Sequence, residues 1–411
     1  MTPTVLLIST SPSFSPARLA MALTKRGFAV QAVCPGDHTL RKTPTVRAVH
    51  SYNCLAPFRC IGSAVAIAKP DLIIPCDDWA ASLLHELYSR ESGRSGSGGL
   101  VPNLIGRSLG APQNFSLAYD RTALLALAAQ EGLPVPRIEV VHSVGDLKKW
   151  AAAEGFPAVL KANATSGGDG VRIVKTLEEA ERAFSSLQAP PMFAKAVKRV
   201  VFDKDMALLW PSLRRTPYVV NIQKFVPGRD ATSAVACWNG KVLASLQFEV
   251  LNKQDAGGPS TVLRWIENQD MVSTAHKLAC RLELSGLYGF DFILETATGR
   301  AYLIEMNPRA TQVGHLAFGP GHDLAAALYA AVTGRDIRPT PRITDKDTIA
   351  LFPQEWLKNP ASDFLRLAYH DVPWEEPQFV LACLERRRKR EAWYSIEKWM
   401  QALSKIRGNQ H

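Results

Sequence analysis

Gly289-Phe290-Asp291-Phe292-Ile293-Leu294-Glu295, a short polar loop, then Ala301-Tyr302-Leu303-Ile304-Glu305-Met306-Asn307-Pro308-Arg309 is the stretch whose reading decides the fold. Aromatic and β-branched residues on either side of a loop ending in glycine predict two β-strands joined as a hairpin. A three-residue loop of Ala297, Thr298 and Gly299, with Gly299 in the left-handed region, sets Asp291 opposite Glu305. Side chains alternate along a strand, so Glu305, Asn307 and Arg309 share one face, and Asp291 joins them by pairing. Phe290, Phe292, Leu294, Ile304 and Met306 point the other way and suit a core.

The shared face gathers hard oxygen donors beside an arginine. Mg²⁺ (or Mn²⁺) favours such donors and keeps phosphate oxygens and water as its other ligands. A solvated face with a chance ion pair is the plainer alternative. Asn307 at alternate spacing, and Pro308 ending the strand beside it, favour the metal reading. With Gly289-Phe290-Asp291-Phe292 ahead of it, Glu305-Met306-Asn307-Pro308-Arg309 resembles the metal-binding hairpin of ATP-grasp enzymes. The likeness is to the carboxylate–amine/thiol ligase type, with the ATP-binding domain of carbamoyl phosphate synthases and biotin carboxylases. It implies ATP and Mg²⁺ as cofactors, Asp291, Glu305 and Asn307 as metal ligands, and Ile293 and Ile304 beside the nucleotide.

Upstream, the chain supplies the other elements in order. Val5 to Ser9, Ala17 to Arg26 and Ala29 to Val33 form a βαβ opening. Its turn, Ser9-Thr10-Ser11-Pro12-Ser13, lacks the Gly-x-Gly-x-x-Gly of dinucleotide sites, so small-substrate contact or scaffolding is expected there. Asp77 and Asp78 follow the strand Asp71 to Pro75, where ligands gather in open α/β sheets; capping of the next helix explains them equally well. Tyr119 to Gly132 is a helix, and the resemblance gives Arg121, near its start, a nucleotide phosphate.

Phe156 to Lys161 is a strand ending in lysine, followed by Asn163-Ala164-Thr165-Ser166-Gly167-Gly168-Asp169-Gly170. Bare backbone N–H groups in such a tip approach phosphates closely. By resemblance Lys161 is the phosphate lysine, and Ser166, Gly167 and Gly168 belong to the lid loop. Tyr218 to Phe225 is a further strand. The resemblance puts the adenine edge at Gln223 and at backbone groups around Lys224, Phe225 and Val226, and the ribose at Asp230. Gln223 departs from the glutamate usual in the family; its amide still accepts a hydrogen bond from an adenine amino group. Ser260, Thr261 and Arg264 follow a Gly-Gly-Pro turn and are candidates for holding a substrate carboxylate. His315 is a further substrate candidate. Gly314 stands where biotin-dependent carboxylases of the family carry a catalytic glutamate, which counts against bicarbonate chemistry of that kind.

Composition sets outer bounds. The chain of 411 residues suits two or three packed units, and its seven scattered cysteines, without Cys-x-x-Cys, fit reduced buried thiols. No apolar run approaches the ~20 residues of a membrane-spanning helix, and no signal peptide is evident, so a cytoplasmic protein is expected. The net charge of +10 comes with no nucleic-acid motif, and no nucleic-acid partner is expected. Segment 190–216 is a basic insertion carrying Lys195, Lys198, Arg199, Lys204, Arg214 and Arg215. After Arg386 to Arg390, the residues Trp393, Ile396, Trp399, Met400, Leu403 and Ile406 recur at helical spacing. Such a helix packs on a neighbouring domain, joins a homodimer, or lies on the inner face of a membrane.

The expected fold is α/β (α+β): a Rossmann-like N-terminal domain over 1–118, an ATP-grasp domain over 119–340 and a C-terminal extension over 341–411. The ATP-grasp domain has a small lid subdomain at about 156–226 and a larger metal-binding subdomain. The implied activity is ADP-forming ligation of a small carboxylate to an amine or another nucleophile, through an acyl phosphate, with Arg309 and Lys161 catalytic. A nucleotide-binding protein without turnover, or a kinase on the same fold, are the alternatives.

Overall fold

The computed structural model describes residues 2–95, 99–162, 170–188, 218–255, 257–336 and 339–385. Ser166, Gly167 and Gly168, the insertion 190–216 and the basic aromatic segment from Arg386 lie outside them.

Three sheets organise the chain. Strands β1 (Thr4–Ile8), β2 (Ala29–Cys34), β3 (Ala48–Ser51) and β4 (Leu72–Pro75) form a parallel sheet in the order β3-β2-β1-β4. Parallel sheets are covered on both faces, and the near-continuous apolar run of β1 follows from that. Val5 and Leu7 pack with Leu19 and Leu23 of α1 (Ser15–Lys25). Leu6 and Ile8 face Ile61 of α2 (Pro57–Ala68), Leu84 of α3 (Asp78–Ser95) and Ile105 of α4 (Leu100–Leu109). The strand order reverses between β1 and β4, which opens a crevice at their carboxyl ends.

After α5 (Arg121–Gln130), strand β5 (Ile138–Val141), α6 (Val144–Ala153), β6 (Ala158–Ala162), β7 (Val171–Val174), α7 (Leu177–Gln188) and β8 (Val220–Lys224) build an antiparallel sheet ordered β5-β8-β6-β7. This sheet takes in β5, upstream of the 156–226 expected for the lid. Leu160, Val220 and Ile222 face α6 and α7 across an apolar core that includes Trp150. Alternation therefore turns Lys161, Asn221 and Gln223 to the opposite face.

The third sheet holds seven strands in the order β13-β12-β9-β10-β11-β14-β15. They are β9 (Gly228–Trp238), β10 (Lys241–Lys253), β11 (Ser260–Trp265), β12 (Gly286–Glu295), β13 (Ala301–Asn307), β14 (Thr348–Ala350) and β15 (Tyr369–His370). Phe290, Phe292 and Leu303 pack on α5 and on α8 (Gln269–Leu282). On the other face, Ala234, Leu246 and Phe248 join α1 and α9 (Leu324–Thr333) in a core shared with the N-terminal sheet. Because β14 and β15 complete this sheet, residues after 341 are built into the large unit rather than appended to it. Among the described residues, no helix is long and apolar enough to cross a membrane.

The hairpin β12–β13 pairs Asp291 with Glu305, but not through a three-residue loop. Leu294 pairs with Ala301 and Phe292 with Leu303, and the Glu295 N–H donates to the Arg300 carbonyl. The loop is therefore Thr296 to Gly299, with Gly299 at φ +72°. A bulge at Ile304 then restores the register, since the shift falls between Asp291 and Phe292. Ile304 accordingly leaves the core side expected from alternation and stands half-buried beside Glu305, while Leu303 and Met306 are the buried pair.

Candidate active site

Asp291, on β12, is oriented by its neighbours on either strand. Thr232 on β9 donates its hydroxyl to Oδ1 at 2.9 Å, and Asn307 on β13 donates its amide to Oδ2 at 2.9 Å. Burial, and then the Glu305 carboxylate close by, hold the Asp291 pKa above the ordinary carboxylate value. Two acids crowded together in a partly desolvated place are what a divalent cation relieves. Asn307 Oδ1 accepts from the Arg309 guanidinium at 3.3 Å. Among the described residues no three His, Cys, Asp or Glu side chains converge. The site offers two carboxylates and an amide, a set that fits Mg²⁺ completed by phosphate and water.

The opposite wall comes from α5 and the four-stranded sheet. Asp120 caps α5, accepting from Ala123 N–H at 3.0 Å, and so sets Arg121 on the first turn. Arg121 donates to Glu305 Oε1 at 2.8 Å; its Nε and Nη1 are buried without a partner. Its side chain is 12 % exposed against 42 % for Glu305, so the carboxylate remains open to a ligand. Buried donors without acceptors are costly, and phosphate oxygens would satisfy these two. Lys161 is 7 % exposed on the same wall. Burial lowers its pKa to about 8; Arg121 adds to the effect, and Glu305, Asp291 and Asp230 oppose it. These groups thus sense one another across two sheets, and the cleft between them is lined for a polyanion.

Along the cleft, Gln223 is 3 % exposed with its Oε1 buried and unpartnered. Ile293 is half-buried on the Asp291 face and pairs across the strands with Asp230. Asp230 binds Lys253 at 2.6 Å. Phe225 and Val226 are half-buried in the link between the sheets. The Lys224 side chain is exposed and paired with Glu154 at 3.1 Å, and its N–H donates to the Arg137 carbonyl at 2.9 Å.

Arg309 leaves the hairpin toward the N-terminal sheet. Its Nε donates to Asp78 Oδ1 at 2.7 Å, and the next residue's N–H, from Ala310, donates to Pro75 O at 3.0 Å. Burial works against the Arg309 charge, but Asp78, Asp291 and Asp77 outweigh it and raise its pKa. Asp77 is itself occupied, accepting from the Thr10 N–H and hydroxyl at 2.6 and 2.7 Å and from Ala80 N–H at 2.8 Å. It therefore ties the β1 turn to the start of α3, and Asp78 is the freer carboxylate.

Three substrate candidates are committed to other partners. Thr261 is fully buried and donates to Glu355 Oε2 at 2.5 Å. Arg264 lies in the cross-strand row of Glu249, Ala231 and Phe292, on the sheet face opposite Asp291, and binds Glu249 at 2.8 Å. His315 bonds Asp371 at 2.6 Å, and Asp371 also takes Arg18. These three side chains are committed to buried carboxylates whose sequence positions gave no sign of the pairing. Ser260 is half-buried, with its carbonyl accepting from Gln312 Nε2 at 3.0 Å. Thr232 is a positioning residue that period-2 alternation along β9 would have exposed.

A family model for the ATP-grasp domain matches residues 122–313. The segment is an ATP-grasp domain. A carbamoyl phosphate synthase large chain from Xylella fastidiosa is 26 % identical over 329 residues, covering 76 % of this chain and 28 % of that one. The arginine-specific large chain from Geobacillus stearothermophilus is 24 % identical over 275 residues, covering 66 % and 23 %. The chain thus spans about a quarter of the length of these curated relatives. Among solved structures, Staphylococcus aureus N5-carboxyaminoimidazole synthetase superposes with a TM-score of 0.56 at 14 % identity, covering 82 % of this chain and 79 % of that one. The biotin carboxylase domain dimer of Hydrogenobacter thermophilus 2-oxoglutarate carboxylase, in complex with MgADP and bicarbonate, gives 0.56 at 17 %, covering 83 % and 72 %. These likenesses agree with the ATP-grasp fold.

Proposed function

We propose that this chain is an ADP-forming ligase that activates a small carboxylate with ATP and couples it to an amine or another nucleophile. The observation that carries this reading is the convergence of Lys161, Arg121, Asp291 and Glu305 on one cleft, with two Arg121 nitrogens buried and unpartnered. The matched ATP-grasp domain, and ligases among its relatives, support the reaction class. ATP would lie between the four-stranded and seven-stranded sheets, phosphates toward Lys161 and Arg121, ribose toward Asp230, base toward Gln223. Asp291, Glu305 and Asn307 would hold Mg²⁺, which neutralises charge on the transferring phosphoryl group when bound.

The substrate carboxylate would enter at the carboxyl ends of β1 and β4, the crevice where α/β sheets take ligands. Arg309, moored there by Asp78, stands between that crevice and the metal residues. Its guanidinium would bind the carboxylate oxygens as one attacks the γ-phosphorus and ADP departs. It would then hold the oxyanion formed when the nucleophile adds to the carbonyl carbon, before phosphate leaves. The nucleophile loses its proton to water or to phosphate. Small-molecule substrates fit a cleft of this kind, and a homodimer, as in the Hydrogenobacter neighbour, is the assembly we propose.

The test is incubation with Mg-ATP, pooled carboxylic acids and hydroxylamine, with Glu305→Gln as control. A hydroxamate formed from one acid and absent in the variant is the expected result. A stable phosphorylated product without hydroxamate would replace ligation by a kinase reaction. Full activity of Glu305→Gln would remove the metal role.

A further inference from the structure

Gln223 sits on the cleft face of β8, two residues beyond Asn221. Asn221 pairs with Lys161 across the strands and accepts the Thr122 hydroxyl at 2.9 Å. Gln223 therefore lies one pleat repeat, about 6–7 Å, from the Lys161 row. It lies toward Lys224 to Gly228, the link between the two sheets, with Ile138 and Val159 as its cross-strand neighbours. It is 3 % exposed, and its side-chain oxygen is buried without a hydrogen-bond partner. An amide oxygen buried without a partner at the far end of a phosphate cleft is costly to keep unless a ligand meets it.

A carboxylate at this place would only accept hydrogen bonds. An amide offers an acceptor oxygen and a donor NH₂, and half a turn about its last torsion exchanges them. Purine bases differ at position 6 in just this respect: a 6-amino group donates and a 6-oxo group accepts. We infer that Gln223 reads position 6 of the purine, and that the site takes 6-amino and 6-oxo purine nucleoside triphosphates alike. This rests on the nucleotide orientation proposed above. The neutral side chain also carries no charge that would repel a 6-oxo group. Ile293, on the opposing sheet, is apolar and favours neither base.

The test is equilibrium binding by calorimetry of the Mg complexes of ATP and inosine triphosphate, which differ at position 6 of the base and in the proton that the 6-oxo base carries on N1. Wild type, Gln223→Glu and Gln223→Met are compared, with folding checked by thermal melts. The inference expects inosine triphosphate within about tenfold of ATP in wild type. Gln223→Glu should widen that gap by a further tenfold or more, and Gln223→Met should weaken both nucleotides to a similar degree. Hundredfold discrimination by the wild type overturns the inference, as does a ratio unmoved by Gln223→Glu. Failure of ATP to bind wild type at all would overturn the nucleotide orientation as well, which separates the two failures.

Discussion

Lys161 is 7 % exposed, and its charge is opposed first by burial and then by Arg121. In the unfolded chain an ordinary lysine binds its proton more tightly, so the folded state disfavours the charged form. The shift from 10.5 to about 8 corresponds to roughly 3 kcal/mol of stability forgone at neutral pH, at ~1.4 kcal/mol per unit. That cost is present below pH 8 and vanishes as pH rises from about 8 to 10.5. Lys161→Met should therefore melt higher than wild type at pH 7 without ligand, and lose most of the further stabilisation that Mg-ATP gives. A variant that melts lower, yet still responds to Mg-ATP, would mean that the lysine supports the fold and not phosphate. In wild type, nucleotide affinity should fall as pH rises through about 8, where the free lysine loses its proton. That inflection should be absent from Lys161→Met titrations.

At the scale of the element, the hairpin β12–β13 shows what a sequence can and cannot say. Its partnership of Asp291 with Glu305 was legible from alternation, although the assumed loop was one residue too short. The missing residue returns as the bulge at Ile304, so two departures from regularity cancel at the metal pair. Nothing in the period-2 pattern distinguishes a bulge from a plain strand, since Leu303, Ile304 and Met306 are all apolar. The bulge leaves Ile304 half-buried beside Glu305. Deleting Ile304 should give a regular ladder in which Leu303 still opposes Phe292 and Glu305 still opposes Asp291. Mn²⁺ affinity should then stay within a few-fold of wild type while ATP affinity falls about tenfold through lost apolar contact. Loss of Mn²⁺ binding in a folded deletion variant would show that the bulge itself shapes the metal pair. Close packing also limits the hairpin at Gly289, where a Cβ would come within 2.3 Å of Thr311 Cγ2. The partners of the substrate candidates have a different origin. Thr261 answers to Glu355, 94 positions away, and His315 to Asp371, 56 positions away, and local pattern carries no record of such partners.

Among the described residues, charge joins the N-terminal unit to the rest at several places, Arg26 with Asp323 included. One is Arg309 with Asp78, between the hairpin and the N-terminal sheet. Another is the buried set Arg18, Asp371 and His315, which ties α1 to the segment after the hairpin and to the residue following β15. Burial pushes the His315 pKa down, with Arg18 adding to it, and His315 therefore stays neutral and donates to Asp371. Burial opposes the Asp371 charge, but Arg18 and then His315 outweigh it and hold its pKa below the ordinary value. Both shifts make the fold weaken on acidification. The unfolded histidine takes up a proton below about pH 6.5 that the folded one refuses, and the Asp371 contribution goes as pH falls below about 4. Arg18→Met removes the charge that neutralises Asp371 and that lowers His315. Breaking a buried pair on one side costs about 3–5 kcal/mol, so the variant should be less stable than wild type at pH 8. His315 is then drawn to protonate beside the uncompensated Asp371, and its pKa should rise above that of the unfolded histidine. With the folded pKa raised, stability is present at low pH and lost as pH increases through it. Between pH 8 and pH 6 wild type should weaken or hold while Arg18→Met recovers part of its deficit. Urea unfolding of both proteins at the two pH values reads this directly. Parallel changes in the two would mean that Arg18 does not set the charge state of the His315–Asp371 pair.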